Sequence, residues 1–385
     1  MMQEIISVAP MMDWTTPQFR NLLRLVTKQT VLYTEMVVDD TVIHAGDLDN
    51  FIGRFDTGPS VIQIGGSQPE TLGAACEILQ QYGISGGHYQ EINLNCGCPS
   101  SKVSKRCFGA KLMLQPSLVR ELVSTMCRRT SCPITVKCRL GVTNERDSYE
   151  DLVHFISEAH AGGANKFIIH ARDCVLEGLT TKQNRDIPPL RYSEVTRLRR
   201  DFPDLTFVLN GGVQSVADAL KHLGRPESLS DGGEGGCDEN EGAVYPHGVM
   251  IGRAVWRNPL ILAEVDRKAY NCRSETLTRR QIVEEYGSFC DMLQSKMADD
   301  VSENPAREFH SDAASVKAAH RKSLIACIGS LFNGVRGNKE FVKRMHHSMG
   351  GGESVSEYIN SALDIFPEHV LDEPIGSMDA VLDVD

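Results

Sequence analysis

Eight short apolar runs with strand-like composition recur along the first two thirds of the chain, at residues 6–11, 31–36, 60–66, 91–97, 134–140, 166–172, 206–212 and 248–254. Most of the gaps between them carry a stretch with helical spacing of apolar positions: 68–82, 116–129, 149–161, 192–201 and 215–223. A single apolar run does not discriminate strand from buried helix. Eight of them alternating with helices predict parallel βαβ units, and eight such units close into a (β/α)8 barrel of the TIM type. No period of 20–50 residues is visible, which excludes a solenoid.

The strand pattern stops near residue 271. Helical periodicity at 281–297, 313–332 and 338–349 predicts a smaller α-helical C-terminal domain. The expected organisation is a barrel over 1–270, a helical domain over 271–349, and an acidic tail over 350–385. That tail is expected to be partly disordered, with a short amphipathic helix over 354–365. A Gly-rich acidic insert at 224–246 falls between the seventh helix and the eighth strand and reads as a loop.

Composition changes this picture little. Hydrophobic residues make up 41% and aromatic residues 6% of the 385, ordinary for a globular chain. No apolar run approaches the ~18 residues that span a bilayer, and the N-terminus lacks the pattern of a signal peptide. The twelve cysteines are scattered, several within apolar elements, which favours a reducing compartment. We therefore expect no membrane attachment and a cytoplasmic or organellar location, and we expect a monomer.

Charge is more informative once it is mapped. The net charge of −11 is concentrated in the insert 224–246 (−5) and the tail 351–385 (−9), and the remainder carries +3. A polyanionic partner is permitted for that body.

Barrel enzymes place their chemistry at the C-terminal ends of the strands. Here those ends are polar in succession: Pro10-Met11-Met12-Asp13, Glu35, Gln63, Asn95 with Cys98, Lys137 with Arg139, His170 with Arg172, Asn210-Gly211-Gly212, and Gly252-Arg253. The last two ends suit a phosphate, because glycine lets backbone N–H groups approach the oxygens and Arg253 adds charge. A Gly-Gly pair after a strand is also a common plain turn.

Three side chains carry more than one reading. Lys137 suits the pyrimidine end of a flavin, a Schiff base, or a buried pairing with Glu35. His170 is a site residue or a bonded core histidine. Cys98, three residues after Asn95, is placed to pass a proton to a heterocycle whose edge the amide holds. It is otherwise an inert core thiol or, with Cys96, half of a metal site that no second pair completes. We expect no metal. Cys107, nearby in a loop, is the other thiol that competes for the assignment.

Taken together these segments resemble the tRNA-dihydrouridine synthases, and most of all their DusA-type subfamily. The resemblance is carried by Ser7-Val-Ala-Pro-Met-Met-Asp-Trp14, Leu32-Tyr-Thr-Glu-Met36, Gln63-Ile-Gly-Gly66 and Asn93-Leu-Asn-Cys-Gly-Cys-Pro-Ser100. It continues through Thr135-Val-Lys137, Ile168-Ile-His-Ala-Arg172, Asn184-Arg-Asp-Ile-Pro-Pro-Leu190, Asn210-Gly-Gly212 and Gly252-Arg253. The resemblance implies FMN bound by Pro10, Met11, Met12, Gln63, Lys137, His170, Asn210, Gly211, Gly212, Gly252 and Arg253, with NADPH as reductant. It implies hydride transfer to uracil C6 and a proton from Cys98 to C5, with Asn95 and Arg139 at the base. Lys182 and Arg185 match positions that contact tRNA, whose D-loop uridines 20 and 20a are the subfamily's targets; no DNA partner is implied. One departure stands out: a pair of arginines three apart is replaced by Lys339 and Val342, with Lys343 and Arg344 adjacent.

Two rival functions remain from the residues alone. A flavin barrel acting on a small molecule accounts for the strand ends but not for the helical domain. A Schiff-base lyase using Lys137 leaves Asn95 and Cys98 without a task.

Overall fold

In the computed structural model the apolar runs form eight parallel strands: β1 (Ile6–Val8), β2 (Val31–Val38), β3 (Ser60–Gly65), β4 (Glu91–Cys96), β5 (Ile134–Arg139), β6 (Lys166–His170), β7 (Thr206–Asn210) and β8 (Gly248–Ile251). They pair in sequence order, and β8 closes on β1, giving the (β/α)8 barrel that the alternation predicts. The structure describes residues 5–53, 58–84, 89–100, 107–225, 243–272, 276–303, 324–346 and 354–375. Most of the acidic insert, residues 226–242, and the chain end, 376–385, lie outside the described residues.

The chain divides into two compact units. The first comprises Met1–Pro17, Gln29–Ala254 and Lys268–Tyr270; the second comprises Gln18–Lys28, Val255–Arg267 and Asn271–Asp385.

Within the first unit, several strands stop short of the apolar runs that announced them. β1 ends at Val8, two residues before Pro10, which has no N–H to give to a ladder. β3 and β4 likewise end before Gly66 and Gly97. The polar ends Gln63, Asn95, Lys137, Arg139, His170 and Asn210 stay within their strands and are paired there. Ala9, Val31, Tyr33, Val61, Ile168, Val208 and Met250 make one buried cluster that fills the barrel. Lys166 and Glu91, nearly buried at the first positions of β6 and β4, form a two-oxygen ion pair at 2.8 and 3.0 Å.

The helices Pro116–Arg129, Tyr149–Ala161 and Tyr192–Asp201 occupy their predicted spans. Ser148 and Ser215 each cap a helix by accepting from the backbone N–H three residues on, the usual use of a hydroxyl at that position.

The second unit is helical among the described residues. Arg279–Glu303 is its longest helix, followed by Asn338–His346, Val355–Ser361 and Glu368–Asp372. Of the helix predicted over 313–332, residues 313–323 lie outside the described residues, and Ile328–Phe332 is a 3-10 turn. Gly329 lowers helix propensity there. Residues 354–375 are built into this unit: Phe366 stacks on Phe332 with centroids 4.0 Å apart and lies 5.2 Å from Phe341. Ser354 and Glu357 form a reciprocal capping box at the start of that segment. No helix among the described residues is long and apolar enough to cross a membrane.

Candidate functional site

Most of the polar strand ends of the first unit converge on one cavity of about 200 Å³, although Asp13, Glu35 and Arg172 are not in its lining. β1 brings Pro10, Met11 and Met12 to it, β3 brings Gln63, and β4 brings Asn95 with Cys98 just beyond. β5 supplies Lys137 and Arg139, β6 supplies His170, and the β7 and β8 ends add Asn210, Gly211, Gly212, Gly252 and Arg253. Arg185 reaches the same cavity from the loop after β6. Strand register explains the convergence. Asn95 lies opposite Lys137, Arg139 opposite His170, and His170 opposite Asn210, so adjacent strands end at one height.

The side chains are tied to one another. Lys137 Nζ donates to Asn210 Oδ1 at 2.9 Å, and Asn210 Nδ2 donates to the Met250 carbonyl. Asn95 Oδ1 accepts from the backbone N–H groups of Gly97 and Cys98, and Asn95 Nδ2 donates to Gln63 Oε1 at 2.8 Å. Among the described residues that leaves Asn95 one uncommitted amide hydrogen. Arg139 is buried and donates to the carbonyls of Gly97, Asp173 and Asn184, so it braces the loops as well as lining the cavity. Arg253 pairs with Asp186 at 2.6 Å.

Gly211 and Gly212 both take positive φ, +115° and +78°, where a side chain is strained. A Cβ on Gly211 would also strike His170 at 2.8 Å, and one on Gly212 the Tyr192 hydroxyl at 2.5 Å. Gly252 has open space in front of it, its nearest neighbour being the Ala9 methyl at 3.9 Å.

Burial and mutual repulsion set the protonation states. Burial first, then Arg139, pushes Lys137 down to about 8. Burial, reinforced by Arg139, Lys137, Arg172 and Arg253, drives His170 well below its ordinary value, so it is neutral at pH 7. Burial raises the Cys98 thiol, while a backbone hydrogen bond and the charges of Arg139, Arg185 and Lys137 pull it partly back. Cys98 is therefore a thiol at neutral pH, able to give a proton, and the cations around it favour an anionic guest.

Two expected partners lie apart from the cavity lining. Lys182 is exposed on the loop after β6, and Lys339 is exposed on helix Asn338–His346 of the second unit. Arg344, on the same helix, is committed to Asp364 at 2.6 Å and to the Ser361 carbonyl. Cys107 is exposed and is not among the residues lining the cavity.

Met36, Thr181 and Gln214 line the cavity although the strand-end pattern does not point to them. Alternation from the inward Tyr33 places Met36 on the outer face of β2. A register shift against β3 between Tyr33 and Met36 turns it inward. Nothing in the sequence marks that bulge. Gln214 follows closely on Gly212 and is within reach of the strand-end argument.

A closed parallel barrel with a buried lysine, a neutral histidine and a protonated thiol at its strand ends has the layout of a barrel enzyme and the groups that proton transfer needs. A family model described as "Dihydrouridine synthase (Dus)" matches residues 7–229. The tRNA-dihydrouridine(20/20a) synthase of Pseudomonas putida is 41% identical over 277 residues, covering 71% of this chain and 74% of that protein. Those of Synechocystis sp. (40% over 280 residues; 72% and 76%) and Vibrio vulnificus (41% over 281 residues; 73% and 78%) are similar to it to the same degree. The chain belongs to the dihydrouridine synthase family of oxidoreductases.

Proposed function

We propose that this protein reduces the D-loop uridines 20 and 20a of tRNA to 5,6-dihydrouridine, with FMN as its bound flavin and NADPH as the reductant. The observation that carries the reading is the meeting of Cys98, Lys137, His170 and the Asn210-Gly211-Gly212 turn around one cation-lined cavity. The tRNA and its positions come from the names of the relatives. When bound, FMN would take hydride from NADPH and deliver it to uracil C6.

The residues fit such a guest. The Gly211–Gly212 turn and the open space before Gly252 leave room for a phosphate beside Arg253. Lys137, held by Asn210, supplies positive charge at the ring, and neutral His170 offers a hydrogen bond without adding repulsion. Pro10, Met11, Met12 and Gln63 complete the lining.

Uracil must leave its stack before chemistry reaches it. The spare amide hydrogen of Asn95, with Arg139 behind it, holds the base. Cys98 Sγ–H then gives its proton to C5 as hydride arrives at C6, so the double bond gains two hydrogens and the thiolate is reprotonated from water. Lys182, Arg185 and Lys339 contact phosphates, positioning tRNA without reading its sequence.

The test is anaerobic reduction of the purified protein with NADPH, followed by addition of unmodified tRNA transcript. Return of the flavin band with tRNA, and not with free uridine or small enones, is the expected result. A band restored only by the small enone would replace this reading with a small-molecule reductase.

A further inference from the structure

Beneath the cavity a line of side-chain amides crosses three strands of the barrel. The N–H groups of Gly97 and Cys98 donate to Asn95 Oδ1 at 3.1 and 3.0 Å, and Asn95 Nδ2 donates to Gln63 Oε1 at 2.8 Å. Gln63 Nε2 donates to Asn93 Oδ1 at 2.8 Å, and Asn93 Nδ2 donates to Thr135 Oγ1 at 2.9 Å. Asn93 is fully buried, and Gln63 and Thr135 are 1% and 2% exposed. Neither Asn93 nor Thr135 lines the cavity.

Every bond in this line points the same way, and one end dictates the direction. A backbone N–H only donates, so Asn95 must turn its oxygen to Gly97 and Cys98. Its NH2 then faces Gln63, and the same constraint passes through Gln63 and Asn93 to the Thr135 hydroxyl. Reversing the Asn95 or Gln63 amide sets donor against donor on one side and acceptor against acceptor on the other, and reversing Asn93 sets its NH2 against that of Gln63. Buried polar side chains cost stability unless they are bonded, and the barrel is filled elsewhere by Val61, Ile168, Val208 and Met250. Asn93 and Thr135 are two polar residues at this depth, and both are bonded within the line.

We propose that Asn93 and Thr135 are positioning residues: they anchor the far end of this line, hold Gln63 and Asn95 in place, and so steady the turn that carries the Cys98 thiol. This rests on the reading of Cys98 as the proton donor.

The test uses the full-length flavoprotein in three variants: Thr135→Val, which removes the hydroxyl at nearly constant shape, Thr135→Ser, which keeps it, and Asn93→Leu. Two readouts are taken: the rates of flavin reduction by NADPH and reoxidation by saturating tRNA, and the rate of Cys98 alkylation by iodoacetamide, followed on its own peptide by mass spectrometry. Thr135→Val and Asn93→Leu should slow reoxidation by about ten- to a hundredfold, as a small misplacement of a reacting group does. The tRNA KM and the reduction rate should hold, Cys98 alkylation should quicken severalfold, and Thr135→Ser should restore wild-type values. Unchanged alkylation and reoxidation in Thr135→Val, or equal slowing of both half-reactions, would overturn the proposal. Should Asn93→Leu not fold, the Thr135 pair decides alone. If tRNA fails to reoxidise even the wild type while Thr135→Val still quickens alkylation and Thr135→Ser restores it, the positioning role stands and the proposed substrate falls.

Discussion

Cys98 and Lys137 face one cavity with opposite assignments, and burial sets both. Desolvation keeps Cys98 protonated through neutral pH. An acid works in its protonated form, so the tRNA-dependent step should be flat through neutrality and decline only on the alkaline side. Cys98→Ala should keep flavin and NADPH oxidation while dihydrouridine formation drops by about 10²–10⁴-fold, the usual worth of a positioned acid; product measured on tRNA decides it, and undiminished product would remove Cys98 from the mechanism. Lys137, pushed down to about 8, carries its charge below that pH and loses it above. Flavin reduction should therefore weaken as pH rises through about 8, and a pH series of Lys137→Met should lack that limb. The identity of both residues was readable from their strand-end positions. Their protonation states were not, because desolvation depends on which cations the other strands bring alongside.

Strand and loop packing carries its own expectations. The Glu91–Lys166 pair closes the buried N-terminal ends of β4 and β6, with side chains 12% and 10% exposed. Glu91→Leu takes from the buried Lys166 the carboxylate that it bonds through both oxygens and should cost about 3–5 kcal/mol, read from the shift of a denaturant midpoint. Adding Lys166→Met to that variant should recover most of the loss, and failure to recover would mean that the pair matters for packing rather than charge. The loop after β6 depends on Asn184, which is fully buried and bonds both the N–H and the carbonyl of Val175. Asn184→Ala strips those partners and should cost about 1–3 kcal/mol, with earlier proteolytic cleavage between 175 and 190. The sequence placed all eight strands because each is a short apolar run, most of them separated from the next by a stretch of helical spacing. It did not reveal the β2 bulge that turns Met36 inward, since a bulge is a relation between two strands and leaves no periodic trace in one.

For the molecule entire, the overall charge of −11 misleads and its distribution informs. If Lys182 and Arg185 meet phosphates, the KM for tRNA should rise steeply with salt. Lys182→Glu with Arg185→Glu should raise KM and flatten the logarithmic salt slope by about 0.7–0.9 for each phosphate no longer neutralised; an unchanged slope would move the RNA-binding face elsewhere. Arg344 shows the limit of counting basic residues, because Asp364 and the Ser361 carbonyl already hold it. The sequence by itself determined the barrel, most of the residues that line its cavity and the family, since periodicity and ordered motifs are local properties of the chain. Tertiary structure alone decided how the strand ends are arranged. It joined Asn93 on β4 to Gln63 on β3 and Thr135 on β5, committed the Asn95 oxygen to the Cys98 turn, and set the protonation of Lys137, His170 and Cys98. Hydrogen-bond direction and desolvation arise between residues far apart in the chain, and they exist only once the barrel has closed.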